Sequence, residues 1–146
     1  MQLSQQGFDY LKRREELRTE AYLDSGSVPT IGYGHIGPEV HLNLVWSEQQ
    51  CEDQYRQDLK PREAVVNKLV QVPLSQNQYD ALVSLVFNIG NGNFANSTLL
   101  RMLNAGDYNG ATKQFDRWIY DDGKIVQGLI NRRKFDRDVF EKGIYG

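Results

Sequence analysis

Two carboxylic acids and a threonine follow one another near the start of the chain, in the order Glu15, Asp24 and Thr30. Hydrolysis of a glycosidic bond needs one carboxyl that stays protonated beside the leaving oxygen, and a second group that activates water or stabilises positive charge. A poorly solvated carboxyl keeps its proton near neutral pH, whereas a hydrated one stays ionised. Two acids in contrasting surroundings therefore suit acid–base hydrolysis.

The segment that carries Glu15 is predicted to be an amphipathic helix from Ser4, its N-cap, to about Arg18. Glu15 falls in the apolar half of this helix, which predicts poor solvation. Glu16 is turned about 100° further round and should face water. Asp24 lies beyond the helix in a predicted turn, where a carboxyl remains hydrated. The two acids thus meet the two requirements.

Residues 21–36 contain short β-type segments around a Ser-Gly-Ser turn, followed by the run TIGYGH. Glycines that alternate in a strand often mark a close approach of backbone or ligand. We expect a small β-hairpin here, with a third short strand as an option.

From Ser47 onward the pattern is helical, with capping boxes at Ser47/Gln50 and Ser75/Gln78. Pro61 is predicted to interrupt the first long helical run and could be the first residue of a continuation. Residues 91–93 are predicted to form a loop. We expect an α+β fold of one domain, residues 1–146. Its small N-terminal β-hairpin lobe covers about residues 1–45 and its larger all-helical lobe about 46–146, with an active-site cleft between them.

Three stretches of the chain resemble the phage lysozymes, or endolysins. The first, EELRTEAYLDSGSVPTIGYGH, has a Glu, eight residues, an Asp, five residues and a Thr. Similarity continues through LVSLVFNIGNGNFANSTLLRMLNAGDY and W…GKIVQGLINRR. This chain has Glu16 where the family usually has Gly, and its turn glycine, Gly26, stands one place earlier than in many relatives.

The resemblance implies a lysozyme-like fold and hydrolysis of the β-1,4 bond between N-acetylmuramic acid and N-acetylglucosamine in peptidoglycan. It assigns proton donation to Glu15, and the handling of water or positive charge to Asp24 and Thr30. Inversion at the anomeric carbon is the family's usual outcome, and it requires a carboxylate separation of roughly 6.5–9.5 Å, against about 5–5.5 Å for retention.

The resemblance also implies supporting residues. An arginine of the last helix pairs with the catalytic glutamate; Arg132 matches that position best, and Arg133 is the alternative. His35 is expected to be a structural hydrogen-bonding residue near the site. Glycan-binding candidates are Tyr33, Asn91, Asn93 and Phe94, while Trp118 is better explained as core.

Composition excludes several other classes of protein. With 17 basic and 19 acidic residues the net charge is −2, which argues against a dedicated nucleic-acid binder. The two histidines and single cysteine form no zinc-ligand pattern, so no metal or cofactor is expected. Cys51 has acidic neighbours that disfavour its thiolate. A monomer is the default expectation.

The first residues contain no long apolar run, so neither a signal peptide nor a membrane anchor is expected. By resemblance, the protein would stay in the host cytoplasm until a membrane pore releases it to the cell wall. A rival hypothesis is a lysozyme-like module that binds glycan or protein without cutting. A weaker rival is chitinase-like or lytic-transglycosylase chemistry.

Overall fold

The computed structural model describes all 146 residues, which form seven α-helices, one 3-10 helix and two small β-hairpins. The helices are α1 (Gln5–Arg14), α2 (Glu48–Leu69), α3 (Gln76–Ile89), α4 (Asn91–Ala95), α5 (Thr98–Asn104), α6 (Tyr108–Gln114) and α7 (Gln127–Lys142), and the 3-10 helix is Phe115–Arg117. The strands are β1 (Arg18–Leu23), β2 (Pro29–Gly32), β3 (Tyr120–Asp121) and β4 (Lys124–Ile125). The predicted α+β class is confirmed. None of the helices combines the length and apolar character that a membrane span requires.

The chain divides into two compact units. The smaller unit is Leu11–Pro61, and the larger unit combines Met1–Tyr10 with Arg62–Gly146. The boundaries fall inside α1 and α2, whereas the change in composition places a boundary near residue 45. All three candidate catalytic residues belong to the smaller unit.

The smaller unit is built on the β1–β2 hairpin. The strands are antiparallel, with Tyr22 opposite Thr30, and their register shifts between Arg18 and Tyr22. Beside them, Glu20 and Val45 form an isolated bridge in place of the optional third strand. The core of this unit consists of buried Ala21, Ile31 and Val40, against which Leu44 and Trp46 pack.

The larger unit is centred on α3, which is buried from Tyr79 to Val86 and packs extensively on α7. The prediction of an all-helical lobe is wrong, because strands β3 and β4 form a second hairpin around residues 122–123. The sequence indicated a turn here. Its flanking strands are only two residues each and exposed, too short to show an alternating pattern.

The predicted helix starts are confirmed by side-chain hydrogen bonds. Ser4 Oγ accepts from the Gly7 N–H at 2.9 Å, and the Ser47/Gln50 and Ser75/Gln78 capping boxes both form. The predicted interruption at Pro61 is wrong, whereas helix does continue beyond this residue, since α2 runs unbroken through it. Proline removes one backbone hydrogen-bond donor, but the remaining hydrogen bonds of this 22-residue helix are enough to keep it continuous.

Buried Asp80 joins the start of α1 to α3 and to the C-terminal segment. Its carboxylate accepts from the Ser4 N–H at 3.1 Å, from Gln76 Nε2 at 2.8 Å and from the Tyr145 hydroxyl at 2.7 Å. These bonds fix the carboxylate directly against Gly7. A Cβ at Gly7 would lie 2.5 Å from Asp80 Cγ, so the position has no room for a side chain.

Gly7→Ala should therefore destabilise the protein by roughly 2–4 kcal/mol, because the methyl group displaces a buried, fully bonded carboxylate. Gly128→Ala is the matched control, since Gly128 is also helical and its Cβ would meet nothing within 4 Å. That change should be neutral or stabilise by up to about 1 kcal/mol. Urea unfolding of both variants tests this, and equal stability of the two would contradict it.

Candidate active site

Glu15 lies at a bend immediately after α1, not inside the helix as predicted. The helix ends at Arg14, and the Glu15 N–H donates to the Lys12 carbonyl at 3.2 Å in a final tight turn. Its side chain is half-buried, and a Cβ at Gly34 would lie 4.0 Å from Glu15 Oε2. Glu16 is exposed, as predicted. The carboxyl of Glu15 thus lies beside a residue that has no side chain.

The run TIGYGH forms a tight turn that explains its alternating glycines. Ile31 and His35 exchange two backbone hydrogen bonds, both of 2.9 Å. Between them Gly32 and Gly34 adopt φ angles of 72° and 79°, a left-handed conformation that residues with a Cβ rarely take. The strand ends at Gly32, and the turn brings the backbone of residue 34 to Glu15.

Asp24 holds the tip of the β1–β2 hairpin through one carboxylate oxygen. Its Oδ1 accepts from the backbone N–H groups of Gly26 and Val28, both at 2.8 Å. No hydrogen bond within the protein uses Oδ2. The loop therefore fixes the orientation of the carboxylate and leaves one oxygen to accept a proton or a hydrogen bond.

Thr30 is 3% exposed and lies on β2. Its hydroxyl donates to the Val28 carbonyl at 2.9 Å, so the proton is committed and the oxygen lone pairs remain as acceptors. Asp24 Oδ1 and Thr30 thus both bond to Val28, through its N–H and its carbonyl respectively. This shared partner fixes two candidate water-orienting groups in one hairpin.

His35 is clamped between two carboxylates. Nδ1 lies 2.8 Å from Asp58 on α2, and Nε2 lies 2.6 Å from Glu39. Burial disfavours the charged ring, but the hydrogen bonds to Glu39 and Asp58 outweigh it and raise the pKa of His35. The hydrogen bond from His35 lowers the pKa of Glu39. The predicted structural role is visible here, whereas neither acidic partner was identifiable from spacing.

Tyr33, a predicted glycan-binding residue, stacks on buried Tyr55 of α2 with ring centres 5.1 Å apart and planes 20° from parallel. Burial raises the pKa of its hydroxyl, with Lys12 opposing and Glu52 adding to the shift. The ring is half-buried. Its glycan contact remains a prediction.

The remaining glycan-binding candidates belong to the larger unit. The predicted loop at residues 91–93 is wrong, because these residues begin helix α4. Asn91 Oδ1 accepts from Arg62 at 2.6 Å, and Asn93 Nδ2 donates to the Ile89 carbonyl at 2.8 Å. Phe94 is fully buried, so its proposed stacking on a sugar is also corrected. Its aromatic ring serves the core.

The two candidate arginines of α7 differ in burial. Arg133 is 1% exposed, donates to Asn88 Oδ1 at 2.5 Å and lies 3.5 Å from buried Asp136. Asp136 in turn accepts from Tyr10 and Ser84, each at 2.7 Å. Arg133 therefore belongs to a buried polar network within the larger unit. Arg132 is half-buried and keeps its place as the candidate supporting arginine.

No three histidine, cysteine, aspartate or glutamate side chains come together in a group suited to a metal ion. Cys51 is buried, and burial together with the charge of Glu48 raises the pKa of its thiol. The thiol therefore remains protonated, as the acidic neighbours predicted. The candidate catalytic groups are therefore the carboxyls of Glu15 and Asp24 and the hydroxyl of Thr30.

His35→Gln should make stability depend less on pH. The raised pKa means that the charged pair stabilises the fold fully below about pH 6.5, and that this contribution is lost as pH rises through the folded-state pKa. We expect the variant to lose roughly 1–3 kcal/mol at pH 6 and less at pH 9. Urea unfolding at both values measures this. His41→Gln is the control, because His41 is exposed, and a deficit for His35→Gln that is equal at both pH values would contradict the prediction.

Comparisons with known proteins identify the family and the fold. The model of the phage lysozyme family matches residues 12–136. The endolysin of Salmonella phage P22 is 42% identical over 144 residues, which are 96% of this chain and 98% of that protein. The endolysin of Bacillus phage B103 is 41% identical over 145 residues, which are 98% of this chain. The chain spans only about half the length of this relative, 55%.

Solved structures extend the comparison to the fold. The endolysin from Escherichia coli O157:H7 phage FAHEc1 superposes with a TM-score of 0.93 at 38% identity, covering 100% of this chain and 97% of that chain. Sequence and fold therefore agree over the whole chain described here, and the predicted lysozyme-like fold is confirmed. The chain belongs to the phage lysozyme family.

Proposed function

We propose that this chain is a muramidase that lyses bacterial host cells by hydrolysing the β-1,4 bond between N-acetylmuramic acid and N-acetylglucosamine. The observation that carries the proposal is the arrangement around residues 31–35. A tight turn of two left-handed glycines brings the backbone of Gly34 beside the half-buried Glu15 carboxyl, within the same unit as Asp24 and Thr30. Membership of the phage lysozyme family supports the same reaction class.

Glu15 is the general acid in this proposal. Its half-buried carboxyl donates a proton to the glycosidic oxygen as the bond to the anomeric carbon breaks. Gly34, which has no side chain, lies beside Oε2 of this carboxyl. Arg132 remains the candidate supporting arginine that the family resemblance implies.

Asp24 and Thr30 act on the water and on the developing positive charge. Asp24 Oδ2 and the Thr30 lone pairs can both accept hydrogen bonds, so together they orient a water molecule, and the Asp24 carboxylate takes up its proton as the water attacks. The backbone N–H groups of Gly26 and Val28, which donate to Asp24 Oδ1, fix the orientation of this carboxylate. Attack by this water from the face opposite the leaving group inverts the anomeric carbon.

Glu15→Gln should fold normally and lose roughly 10²–10⁴-fold of its lytic rate, because the amide cannot supply the proton. Glu16→Gln is the matched control and should keep wild-type activity, since Glu16 is exposed. Clearing of outer-membrane-stripped Gram-negative cells measures both. Loss of activity in Glu16→Gln but not in Glu15→Gln would show that Glu16, and not Glu15, is the general acid. No clearing by the unmutated chain would favour a binding module without catalysis.

The initial product should be the α-anomer, as inversion requires. Proton NMR of a soluble glycan substrate, recorded before mutarotation, distinguishes the two anomers. An initial β-anomer would replace the water-activating role of Asp24 with nucleophilic attack. A 1,6-anhydro sugar, detected by mass spectrometry, would identify a transglycosylase and overturn the hydrolytic proposal.

A further inference from the structure

A surface depression of about 290 Å³ lies in the smaller unit, between the segment before α2 and the first half of that helix. It is lined by Trp46, Gln50, Asp53, Gln54 and Gln57. The four helical residues have the spacing i, i+3, i+4 and i+7, which puts them on one face of α2. None of the residues assigned to catalysis above lines this depression.

Trp46 is held in a fixed position at one side of the depression. Its indole packs against the core of Ala21, Ile31 and Val40, and its backbone N–H donates to Thr19 at 2.9 Å. The ring lies 5.7 Å from the clamped His35 ring, tilted by 34°. Because the indole is only half-buried, the rest of its surface faces the depression as a rigid aromatic wall.

The polar side chains opposite Trp46 are partly oriented before any ligand binds. Gln50 Oε1 is held by the Ser47 N–H at 2.8 Å, which leaves its Nε2 group as a donor. Gln54 Nε2 is held by Asp58 at 2.9 Å, which leaves its Oε1 as an acceptor.

Two further polar groups complete this wall. One oxygen of Asp53 is bonded by Gln49 at 2.8 Å, and the other accepts no hydrogen bond within the protein. Gln57 has both ends of its amide available. The depression therefore offers donors and acceptors together with an aromatic surface.

This combination matches an uncharged sugar ring. An aromatic face carries partial negative charge that attracts C–H groups, such as those on the apolar face of a pyranose. Amides bond to hydroxyl and N-acetyl groups through both a donor and an acceptor. No lysine or arginine lines the depression, and Asp53 would repel a phosphate or carboxylate. Four polar side chains also disfavour a purely apolar partner.

We propose that this depression is a second glycan-binding site, which holds an N-acetylglucosamine unit of a glycan strand away from the site of cleavage. The choice of this sugar rests on the proposed function, whereas the site itself rests on its geometry. A weak second contact raises the local concentration of enzyme on a polymer without speeding the chemical step. It would thus favour repeated cuts on one cell-wall surface.

The test is an NMR titration of the ¹⁵N-labelled Glu15→Gln variant with N,N′,N″-triacetylchitotriose, which this variant should not cleave. We expect shifts of the Trp46 indole N–H and of the side-chain amides of Gln50, Gln54 and Gln57. The chain has two tryptophans, so the Trp118 indole serves as an internal reference. Unchanged Trp46 and glutamine signals at a high concentration of trisaccharide would overturn the inference.

Gln57→Ala in the same background should weaken the binding seen at Trp46 roughly fivefold, as expected for one lost hydrogen bond. Gln57 is exposed, so its replacement should leave the fold intact. Gln127→Ala is the matched control, because Gln127 is also exposed and helical but lies outside the depression, and it should bind like the parent. Equal affinity of the Gln57 and Gln127 variants would contradict the proposed contact.

Lysis by the unmutated chain, measured separately, distinguishes the two proposals. Shifts at Trp46 without lysis would overturn the proposed function and support the second site. Lysis without shifts at Trp46 would support the proposed function and overturn the second site.

Discussion

The candidate active site depends on one backbone constraint, the double hydrogen bond between Ile31 and His35. Closing that turn requires two residues with positive φ, and only glycines take that conformation without strain. Ile31 is fully buried in the core of the smaller unit, and His35 is clamped by Asp58 and Glu39. Both ends of the turn are therefore fixed, so the position of Gly34 beside Glu15 is rigid.

In the β1–β2 hairpin, which carries Asp24, the bonds that stabilise the backbone also orient the candidate side chains. Asp24 and Thr30 each bond to Val28, one through its N–H and the other through its carbonyl. The hydrogen bonds that form the hairpin are thus the bonds that aim the two side chains. Preorganised polar groups of this kind need no reordering at the moment of reaction, which is the main way in which enzymes lower electrostatic barriers.

Much of this could be predicted from the sequence, because local signals are strong where a residue type has one conformational use. The capping residues Ser4, Ser47 and Ser75 mark helix starts, and the glycines of TIGYGH mark a close approach. These features depend on interactions between residues close together in the chain, so a local sequence pattern is enough to predict them. The sequence predicted a site in a cleft between the lobes, and the structure places Glu15, Asp24 and Thr30 in the smaller unit.

The features that the sequence did not predict depend on contacts between residues far apart in the chain. His35 meets Asp58 across 23 positions, a pairing that no local spacing indicates. Phe94 and Arg133 are buried because distant elements cover them. Helical periodicity also continues past Arg14, so it overestimated α1, which ends where the chain must bend to begin β1.

Burial of Glu15 was expected for the wrong reason. The sequence placed it on an apolar helical face, whereas in the structure it follows the helix and lies beside Gly34. The half-buried carboxyl is thus positioned by a bend and a turn rather than by a helical face.

The most direct test of this account is the lytic rate of Gly34→Asn compared with that of Gly123→Asn. Both glycines have positive φ, 79° and 76°, and asparagine tolerates that conformation better than most residues, so both variants should fold. Only the first change places a side chain against Glu15, because a Cβ at Gly34 would lie 4.0 Å from Glu15 Oε2, whereas a Cβ at Gly123 meets nothing within 4 Å. We expect a loss of more than about tenfold for Gly34→Asn and wild-type lysis for Gly123→Asn. Wild-type lysis by a folded Gly34→Asn variant would contradict it.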